Sequence, residues 1–346
     1  MNREIRMLDP LHDPAWDERL LSRGHGSFFL TSSWARVLAE SYGYQPRYFG
    51  EVRDGAFAAL LPFMEVKSML TGKRGVSLPF TDQCAPIADD STAFRDTLAK
   101  AIKHGKRAGW KYLELRPGGD LPGEIRPSTV CLGHTLDLTC GPERLFAGLR
   151  DSTRRNIKRA RGEGVRITIS ASPGDLQEFC RMNCLTRKDH GLPPQPYFFF
   201  DNIRRHVLSR DLGRVVLASS GGKTVAGALY VHFGAEAVYK YGASDRRYQH
   251  LRANNLIMWE AIHWYASRGY GMFDFGRTEP ENEGLLQFKR GWGADEHPIN
   301  YYRYDLHTET FVEKSLAVSG AHTAYFRRLP MPLLKLAGTL LYRHVG

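Results

Sequence analysis

The sequence predicts an α+β protein in which one unit of helices and strands occurs twice, giving mixed sheets flanked by helices. The chain has 346 residues, which is long enough for two domains with cores of their own. Hydrophobic residues make up 42% and charged residues 25% of the chain, as is usual for globular domains. The more specific observation is that helix, β-hairpin, helix and strand follow one another in the same order in each half.

A β-hairpin with a glycine-containing turn stands in each half, after a helix that begins with aromatic residues near Phe28 and near Phe198. A glycine turn between two apolar runs is a strong hairpin signal, because glycine readily adopts the positive φ angles of tight turns. The two hairpins join residues 46–52 to 57–64 and residues 214–218 to 225–233.

A helix followed by a strand that ends in arginine completes each copy. Residues 93–109 have helical apolar spacing and lead into a strand at 110–116, and residues 254–269 lead into a strand at 270–277. The matched order of all these elements indicates a duplication, with the joint near residues 133–141.

We therefore expect an N-terminal domain at residues 1–138, a C-terminal domain at residues 139–326 and a basic amphipathic helix at residues 327–346. The last segment is apolar at helical spacing and flanked by cations, so it can lie on an anionic membrane surface. Docking on its own domain is the alternative. Its predicted apolar face consists of Leu333, Leu336, Leu340 and Leu341.

The net charge of +11 favours phosphorylated ligands, nucleic acid or an anionic membrane as partners. The five cysteines have no metal-ligand spacing, so we expect free thiols in a reducing cytosol rather than a zinc site or a disulfide framework. The first residues lack the apolar core of a secretory signal, and no run approaches the roughly 20 apolar residues that span a bilayer. These features predict a cytoplasmic protein without a metal.

A basic helix is predicted at residues 142–162, with Leu145, Leu149 and Ile157 facing the core. A solvated basic surface is one interpretation of its other face. The second interpretation is an electropositive rim for a diphosphate, because the planar guanidinium group of arginine binds two phosphate oxygens at once.

Near the end of the second copy, an apolar strand carries one acid, Asp274, and stops at Gly276 and Arg277. Lys289 and Arg290 follow after a polar loop. The carboxyl end of a strand is a common place for an α/β protein to hold an anionic ligand. Asp274 could act as a base towards an amine, or it could pair with a neighbouring arginine.

Five segments combine cations, aromatic residues and glycines in a distinctive way: RRNIKRA at 154–160, TRKDHGLPP at 186–194, YKYGAS at 239–244, FDFGR at 273–277 and FKRGWG at 288–293. Set in two tandem α+β units, they resemble the FemAB family of peptidyl and aminoacyl transferases. More narrowly, the chain resembles the proteobacterial FemAB-like proteins associated with exopolysaccharide and PEP-CTERM/exosortase loci. The resemblance covers nearly the whole chain and is sharpest from about residue 149 to residue 304.

The resemblance implies tandem GNAT-like acyltransferase domains and an N-acyl or aminoacyl transferase that modifies an amine of a peptidoglycan or exopolysaccharide precursor. The implied donor is aminoacyl-tRNA or acyl-CoA, with no tightly bound cofactor, and the implied acceptor is a small or lipid-linked phosphorylated sugar or peptide. GNAT enzymes hold the coenzyme A pyrophosphate on a Gln/Arg-x-x-Gly-x-Gly/Ala turn at a helix N-terminus. Arg252 and Asn254 replace those glycines here, which weakens coenzyme A as the donor and leaves charged tRNA open. A monomer is expected.

The resemblance also implies roles for individual side chains. No Ser-His-Asp or Cys-His set stands out, so we expect direct attack by the acceptor amine rather than a covalent intermediate. Lys289 would stabilise the developing oxyanion and Trp292 would form a packing wall. Asp274, or Glu114 at the matching position of the first copy, could serve as the base. Donor binding would involve Gln249, Arg252, Asn254 and Asn255, and substrate binding would involve Arg154, Arg155, Asn156, Arg187, Lys188, Tyr239, Tyr241, Arg277 and Trp292.

Two functions of other classes stay open. A non-catalytic protein on the same scaffold would recruit phosphorylated envelope precursors, and the altered pyrophosphate turn favours it. A nucleic-acid-binding protein would need one contiguous basic face with stacking aromatic residues, whereas the cations here are spread over both halves.

Overall fold

A computed structural model of the protein describes residues 4–22, 24, 27–313 and 323–345. In chain order, its helices are α1 (Trp16–Leu21), α2 (Ser32–Tyr42), α3 (Ser91–Ala108), α4 (Pro142–Gly148), α5 (Asp151–Gly162), α6 (Pro173–Asp189), α7 (Tyr197–His206), α8 (Ala253–Ala266), α9 (Glu283–Arg290), α10 (Thr323–Arg328) and α11 (Met331–Val345). Its strands are β1 (Arg6–Leu8), β2 (Gln45–Pro46), β3 (Tyr48–Arg53), β4 (Ala56–Leu61), β5 (Met64–Ser68), β6 (Gly72–Val76), β7 (Ile87–Ala88), β8 (Tyr112–Gly118), β9 (Thr129–Asp137), β10 (Arg166–Ser170), β11 (Gly213–Ser220), β12 (Lys223–Phe233), β13 (Glu236–Ser244), β14 (Met272–Asp274), β15 (Asp295–Asp305) and β16 (Thr310–Val312).

The chain divides into two compact units. The described residues of Met1–Leu132, Pro298–Ala317 and Leu341–Gly346 form unit 1, and those of Gly133–His297 and Val318–Leu340 form unit 2. The boundary predicted at residue 138 therefore differs from the observed division. The larger difference is that residues after His297, which we predicted in the C-terminal domain, return to unit 1.

Non-local strand pairing causes that return. β15 forms an antiparallel ladder with β8, in which Tyr304 lies opposite Leu113. Tyr302 and Leu306 are buried in the same core as Trp110. These apolar contacts and backbone hydrogen bonds attach the segment to unit 1, although it follows unit 2 in the sequence.

Unit 1 contains two sheets, with the strand orders β1-β3-β4-β7 and β15-β8-β6-β5-β2. The predicted first hairpin is confirmed as β3 and β4, whose turn places Gly55 at φ +80°. The predicted helix is confirmed as α3, which is capped by the side chain of Asp90 and ends at Gly109 in the left-handed conformation. β6 and β8 are parallel and flank α3 in the sequence.

Unit 2 has one sheet in the order β10-β11-β12-β13-β14-β9. Its pairs are antiparallel except for β13 and β14, which are parallel and joined through α8. Ala226 and Ala228 of β12 lie in the core that contains α8, whereas a Cβ added at Gly227 between them would lie 3.3 Å from Phe179 of α6. Because side chains alternate along a strand, α6 and α8 cover opposite faces of this sheet.

Two predicted elements of unit 2 differ from the structure. The basic helix predicted at residues 142–162 is two helices, α4 and α5, because Leu149 and Arg150 are extended. The Arg150 N–H donates to the carbonyl of Gly291 at 3.1 Å, so a tertiary hydrogen bond replaces a helical one. The strand predicted at 270–277 is only β14, since the chain turns directly after Asp274.

The described part of the tail up to Leu340 docks on unit 2, which is one of the two sequence interpretations, whereas the tail from Leu341 onward belongs to unit 1. Leu334 of α11 is fully buried, and Gly338 lies so close to the loop before α7 that an added Cβ would be 2.1 Å from the carbonyl oxygen of Pro194. Leu333, Leu336 and Leu340 are exposed. In the part of the chain that the structure describes, no helix has the length and apolar content to cross a bilayer.

Candidate active site

The chain makes a tight turn where β14 ends, and Asp274 stabilises this turn. Asp274 is 7% exposed, and its Oδ1 accepts a hydrogen bond from the N–H of Gly276 at 2.7 Å. Gly276 has φ +70°, a conformation that glycine adopts without strain. Asp274 therefore binds the main chain of the turn, a use of aspartate that is common in turns.

Lys289 holds the same turn from α9. Its side chain is 2% exposed, and its Nζ donates to the carbonyl oxygens of Gly276 at 2.6 Å and Arg277 at 3.1 Å. A buried ammonium group is tolerated only when such acceptors replace water. Lys289 is thus oriented at the end of β14, and its role as an oxyanion stabiliser stays a prediction.

A histidine and a glutamate that the sequence analysis missed complete this cluster. The Nε2 of His134, on β9, lies 3.0 Å from Glu296, which also accepts from Arg290 at 2.7 and 2.9 Å. Burial and the Lys289 ammonium lower the pKa of the fully buried His134. His134 was not predicted because it falls in the segment taken as the joint between the copies.

A cleft of about 440 Å³ lies between β12, β13 and the first turn of α8. It brings together the four predicted donor-binding residues and Tyr239, and Leu285 and Phe288 of α9 form another wall. The first turn of a helix carries N–H groups without intrahelical acceptors, which attract anions. The cleft can therefore attract an anion at the start of α8, and binding of a donor there stays a prediction.

Arg252 stands where the GNAT turn has a glycine, and its backbone conformation bears on the expectation that this replacement weakens coenzyme A binding. It has φ +57°, in the left-handed region, and immediately precedes α8. The turn thus keeps the conformation that glycine favours, at a cost of about 1–2 kcal/mol for a residue with a side chain. Arg252 is exposed and lines the cleft, so it adds a guanidinium group at the first turn of α8.

The two predicted tyrosines do not line one cleft. Leu229 pairs with Tyr241 and Tyr230 pairs with Tyr239, so Lys240 is the extra residue of a β-bulge. Tyr239 lines the cleft at the start of α8, and burial raises its pKa to about 12. The Tyr241 hydroxyl accepts from Gln195 at 3.0 Å, and its ring lies 5.9 Å from Phe200, on the α6 face of the sheet.

The remaining predicted residues lie outside this cleft. On α5, Arg154 is bonded to Asp151 and to the carbonyl of Ala147, Arg155 is exposed, and Asn156 is half-buried. Arg187 and Lys188 stand at the end of α6, where the Arg187 Nε lies 3.4 Å from the carbonyl of Pro193.

Arg277 and Trp292 flank the Lys289 turn. Arg277 lies 3.6 Å from Glu279. Trp292 is 1% exposed, and its ring centroid lies 5.7 Å from that of Phe288. This burial suits the predicted packing wall, whereas substrate contact by either residue stays a prediction.

Comparison with known proteins agrees with this architecture. Residues 147–290 match the family described as "Acetyltransferase (GNAT) domain". The UDP-N-acetylmuramoylpentapeptide-lysine N(6)-alanyltransferase of Weissella viridescens is 26% identical over 168 residues, which are 47% of this chain and 49% of that protein. The chain thus spans about half the length of that curated relative.

Solved structures extend the likeness to most of the chain. The crystal structure of FemX has a TM-score of 0.69 at 14% identity and covers 88% of this chain and 98% of that chain. A tandem GNAT protein from the clavulanic acid biosynthesis pathway has a TM-score of 0.56 at 9% identity, covering 88% and 99%. Residues 147–290 of the chain are thus similar to a GNAT domain, and most of the chain shares its fold with FemX and with this tandem GNAT protein.

Proposed function

We propose that the protein is an N-acyl or aminoacyl transferase that modifies an amine of a phosphorylated cell-envelope precursor. The observation that carries this proposal is the cleft at the first turn of α8, where the predicted donor-binding residues meet on a matched GNAT domain. The similar protein of Weissella viridescens is an alanyltransferase whose name includes a UDP-linked muramoyl pentapeptide. A peptidoglycan precursor is therefore our first acceptor, and an exopolysaccharide precursor is the second.

The reaction would be a direct acyl transfer. The lone pair of the neutral acceptor amine forms a C–N bond to the donor carbonyl, and the bond from that carbonyl to the donor oxygen or sulfur breaks. The proton that the amine nitrogen loses passes to the leaving oxygen or sulfur, so that the products are an amide and the free hydroxyl or thiol of the donor. Asp274 and Lys289 already bind the main chain of one turn. We propose that this turn positions the reacting groups and that any positive charge needed at the carbonyl comes from Lys289.

We favour aminoacyl-tRNA over acyl-CoA as the donor. Arg252 occupies the turn where a GNAT enzyme has glycine, so its side chain takes up space beside the main chain that a pyrophosphate would approach. A guanidinium group at the same place suits the phosphates of a nucleic acid end. The non-catalytic alternative keeps one supporting observation, which is that the carboxylate of Asp274 already accepts a main-chain hydrogen bond.

A product assay tests the proposal. Purified protein is incubated with a charged tRNA pool or with acetyl-coenzyme A, each with UDP-linked muropeptide precursor, and N-acylated precursor is measured by mass spectrometry. Product with tRNA that is lost in Lys289→Ala supports the aminoacyl transferase. Thermal stabilisation by the precursor without product from either donor would support the non-catalytic protein.

We further propose that the protein works at the inner face of the cytoplasmic membrane, as a monomer. The exposed Leu333, Leu336 and Leu340 form one stripe of α11, and Arg343 follows them. Such a stripe beside cations suits an anionic lipid surface. Replacing the three leucines by serine should abolish sedimentation with phosphatidylglycerol vesicles and leave circular dichroism unchanged; unaltered sedimentation would contradict the proposal.

A further inference from the structure

Unit 2 contains a second and larger cavity, on the α6 side of the sheet. This groove has a volume of about 690 Å³ and lies between α6, residues 195–200 and α11. Its size is within the range of about 300–1,000 Å³ that holds small ligands. Its apolar walls are formed by Cys180, Cys184, Leu185, Phe200 and Met331. The acyl transfer proposed above makes no use of it.

The position of the groove follows from the three stripes of α11. Leu334 and Gly338 form the stripe that docks on unit 2, and Leu333, Leu336 and Leu340 form the exposed stripe. Met331, Lys335 and Thr339 line the groove. Because successive helical residues are rotated by about 100°, this third stripe lies between the docked one and the exposed one. The groove therefore opens beside the exposed leucines.

The charge at the groove is positive. Lys335 is exposed, and its ammonium has no hydrogen-bond or ion-pair partner among the described residues. Glu178 is the acid of the lining, and Arg181 binds it at 2.7 and 2.9 Å. One uncompensated cation thus accompanies an apolar cavity, which is the arrangement that suits a hydrocarbon chain with an anionic head.

We propose that this groove holds one alkyl chain of an anionic phospholipid, with the phosphate against Lys335. The exposed leucines of the same helix would lie in the lipid surface and bring the groove to the source of the chain. A hydrocarbon chain suits the groove better than a fully polar ligand, because most of the surface that lines the groove is apolar. The proposal goes beyond acyl transfer, since binding of a lipid chain requires neither the donor nor the acceptor.

Cysteine alkylation provides a site-specific test with an internal reference. Cys184 is half-buried in the groove wall, whereas Cys140 is exposed and is not among the groove residues. The full chain is treated with an uncharged maleimide, with or without dodecyl phosphate below its micelle concentration, and each site is quantified by mass spectrometry. We expect dodecyl phosphate to slow Cys184 alkylation at least fivefold and to leave Cys140 unchanged.

Two comparisons distinguish the contribution of the alkyl chain to binding from that of the phosphate head group. Affinity should rise about fourfold per added methylene along an alkyl phosphate series until the groove is full. Dodecyl maltoside, which has the same chain and no charge, should protect less. Lys335→Ala should abolish the preference for phosphate, and Arg328→Ala, which removes a cation of α10 outside the groove lining, should not.

Other outcomes would overturn the proposal. Equal protection of both cysteines would indicate a general effect of the amphiphile, and no protection of Cys184 would show that the groove does not bind the chain. Equal protection by dodecyl maltoside would exclude the anionic head. Thr339→Trp, which fills the groove from an exposed position, should remove protection while vesicle binding through the three leucines remains. Acyl transfer is measured separately, so failure here leaves that proposal untouched.

Discussion

The ammonium nitrogen of Lys289 lies 2.6 Å from the carbonyl oxygen of Gly276, whose N–H donates to Asp274 at 2.7 Å. The two predicted catalytic side chains thus both bind the main chain of Gly276, Asp274 at its N–H and Lys289 at its carbonyl oxygen. Neither lies free in a solvent-filled cleft, since both are buried. The turn after β14 is therefore held on both sides by buried side chains.

The first prediction concerns Lys289. Lys289→Met should lower the free energy of unfolding by about 2–4 kcal/mol, because two carbonyl oxygens lose their donor inside the protein. Urea denaturation measures the change. Lys158→Met, at an exposed position of α5, is the matched control and should change stability by less than about 0.5 kcal/mol. Equal stability of the two variants would mean that Lys289 does not hold the turn.

Arg252 supports a second prediction. Arg252→Gly should keep the fold intact, because glycine adopts the observed φ of +57° without strain. The variant should nevertheless bind charged tRNA more weakly, with a smaller dependence on salt, since one cation at the cleft is lost. Thermal-shift titrations at two salt concentrations measure both effects. Stronger binding of acetyl-coenzyme A by the variant, with unchanged tRNA binding, would favour coenzyme A as the donor.

The four residues predicted to bind the donor and the contacts of Lys289 differ in how far the sequence could predict them. Gln249, Arg252, Asn254 and Asn255 lie close together in the chain, so a helix that begins there brings them to one cleft. The partners of Lys289 are main-chain carbonyl oxygens. Every residue has such an oxygen, so the sequence does not indicate which ones accept from the lysine. The resemblance to the GNAT turn could therefore group these four residues, whereas nothing in the sequence indicated the contacts of the lysine.

The fold shows the same division between local and non-local causes. Both hairpins and both helix–strand pairs follow from apolar periodicity and glycine turns within short windows. The bulge at Lys240 depends on the register against β12, and the return of residues after His297 depends on pairing with β8. Packing across the sheet decides which strands pair and in which register. The sequence pattern of one segment therefore does not predict these long-range pairings.

A third prediction concerns acid sensitivity through His232. Its Nε2 lies 2.6 Å from the carbonyl of Asp211 and its Nδ1 lies 3.0 Å from the Tyr265 hydroxyl. The neutral ring satisfies both contacts, with Nε2–H as the donor and Nδ1 as the acceptor. Burial lowers the pKa of His232 from 6.5 to about 4.

The pKa of His232 is lower in the folded protein than in the unfolded chain. Between pH 6.5 and about 4, the unfolded chain therefore binds a proton at His232 that the folded protein does not bind. Stability should therefore fall as the pH falls from about 6.5 to about 4, by up to about 3 kcal/mol from this residue. Urea denaturation at several pH values should show a smaller acid loss in His232→Gln than in the natural chain. Parallel pH profiles would show that His232 contributes nothing to the acid sensitivity.

The docking of α11 gives a fourth prediction. Gly338→Ala should destabilise the tail by about 1–3 kcal/mol, because the new Cβ would meet the main chain of Pro194. Faster proteolysis within residues 323–345 should accompany a lower melting temperature. Gly148→Ala is the control, since an added Cβ there meets nothing within 4 Å. Unchanged proteolysis of the tail would contradict the docked arrangement.

The most direct test of the central claim is the product assay with charged tRNA and UDP-linked muropeptide precursor. The precursor mass should increase by one aminoacyl group, the product should form with the natural protein and with Lys158→Met, and it should disappear in Lys289→Ala. Lys289→Ala should still bind the precursor in a thermal-shift titration, so that loss of product is not loss of fold. Absence of product from the natural protein with both charged tRNA and acetyl-coenzyme A, despite precursor binding, would contradict the assignment as a transferase.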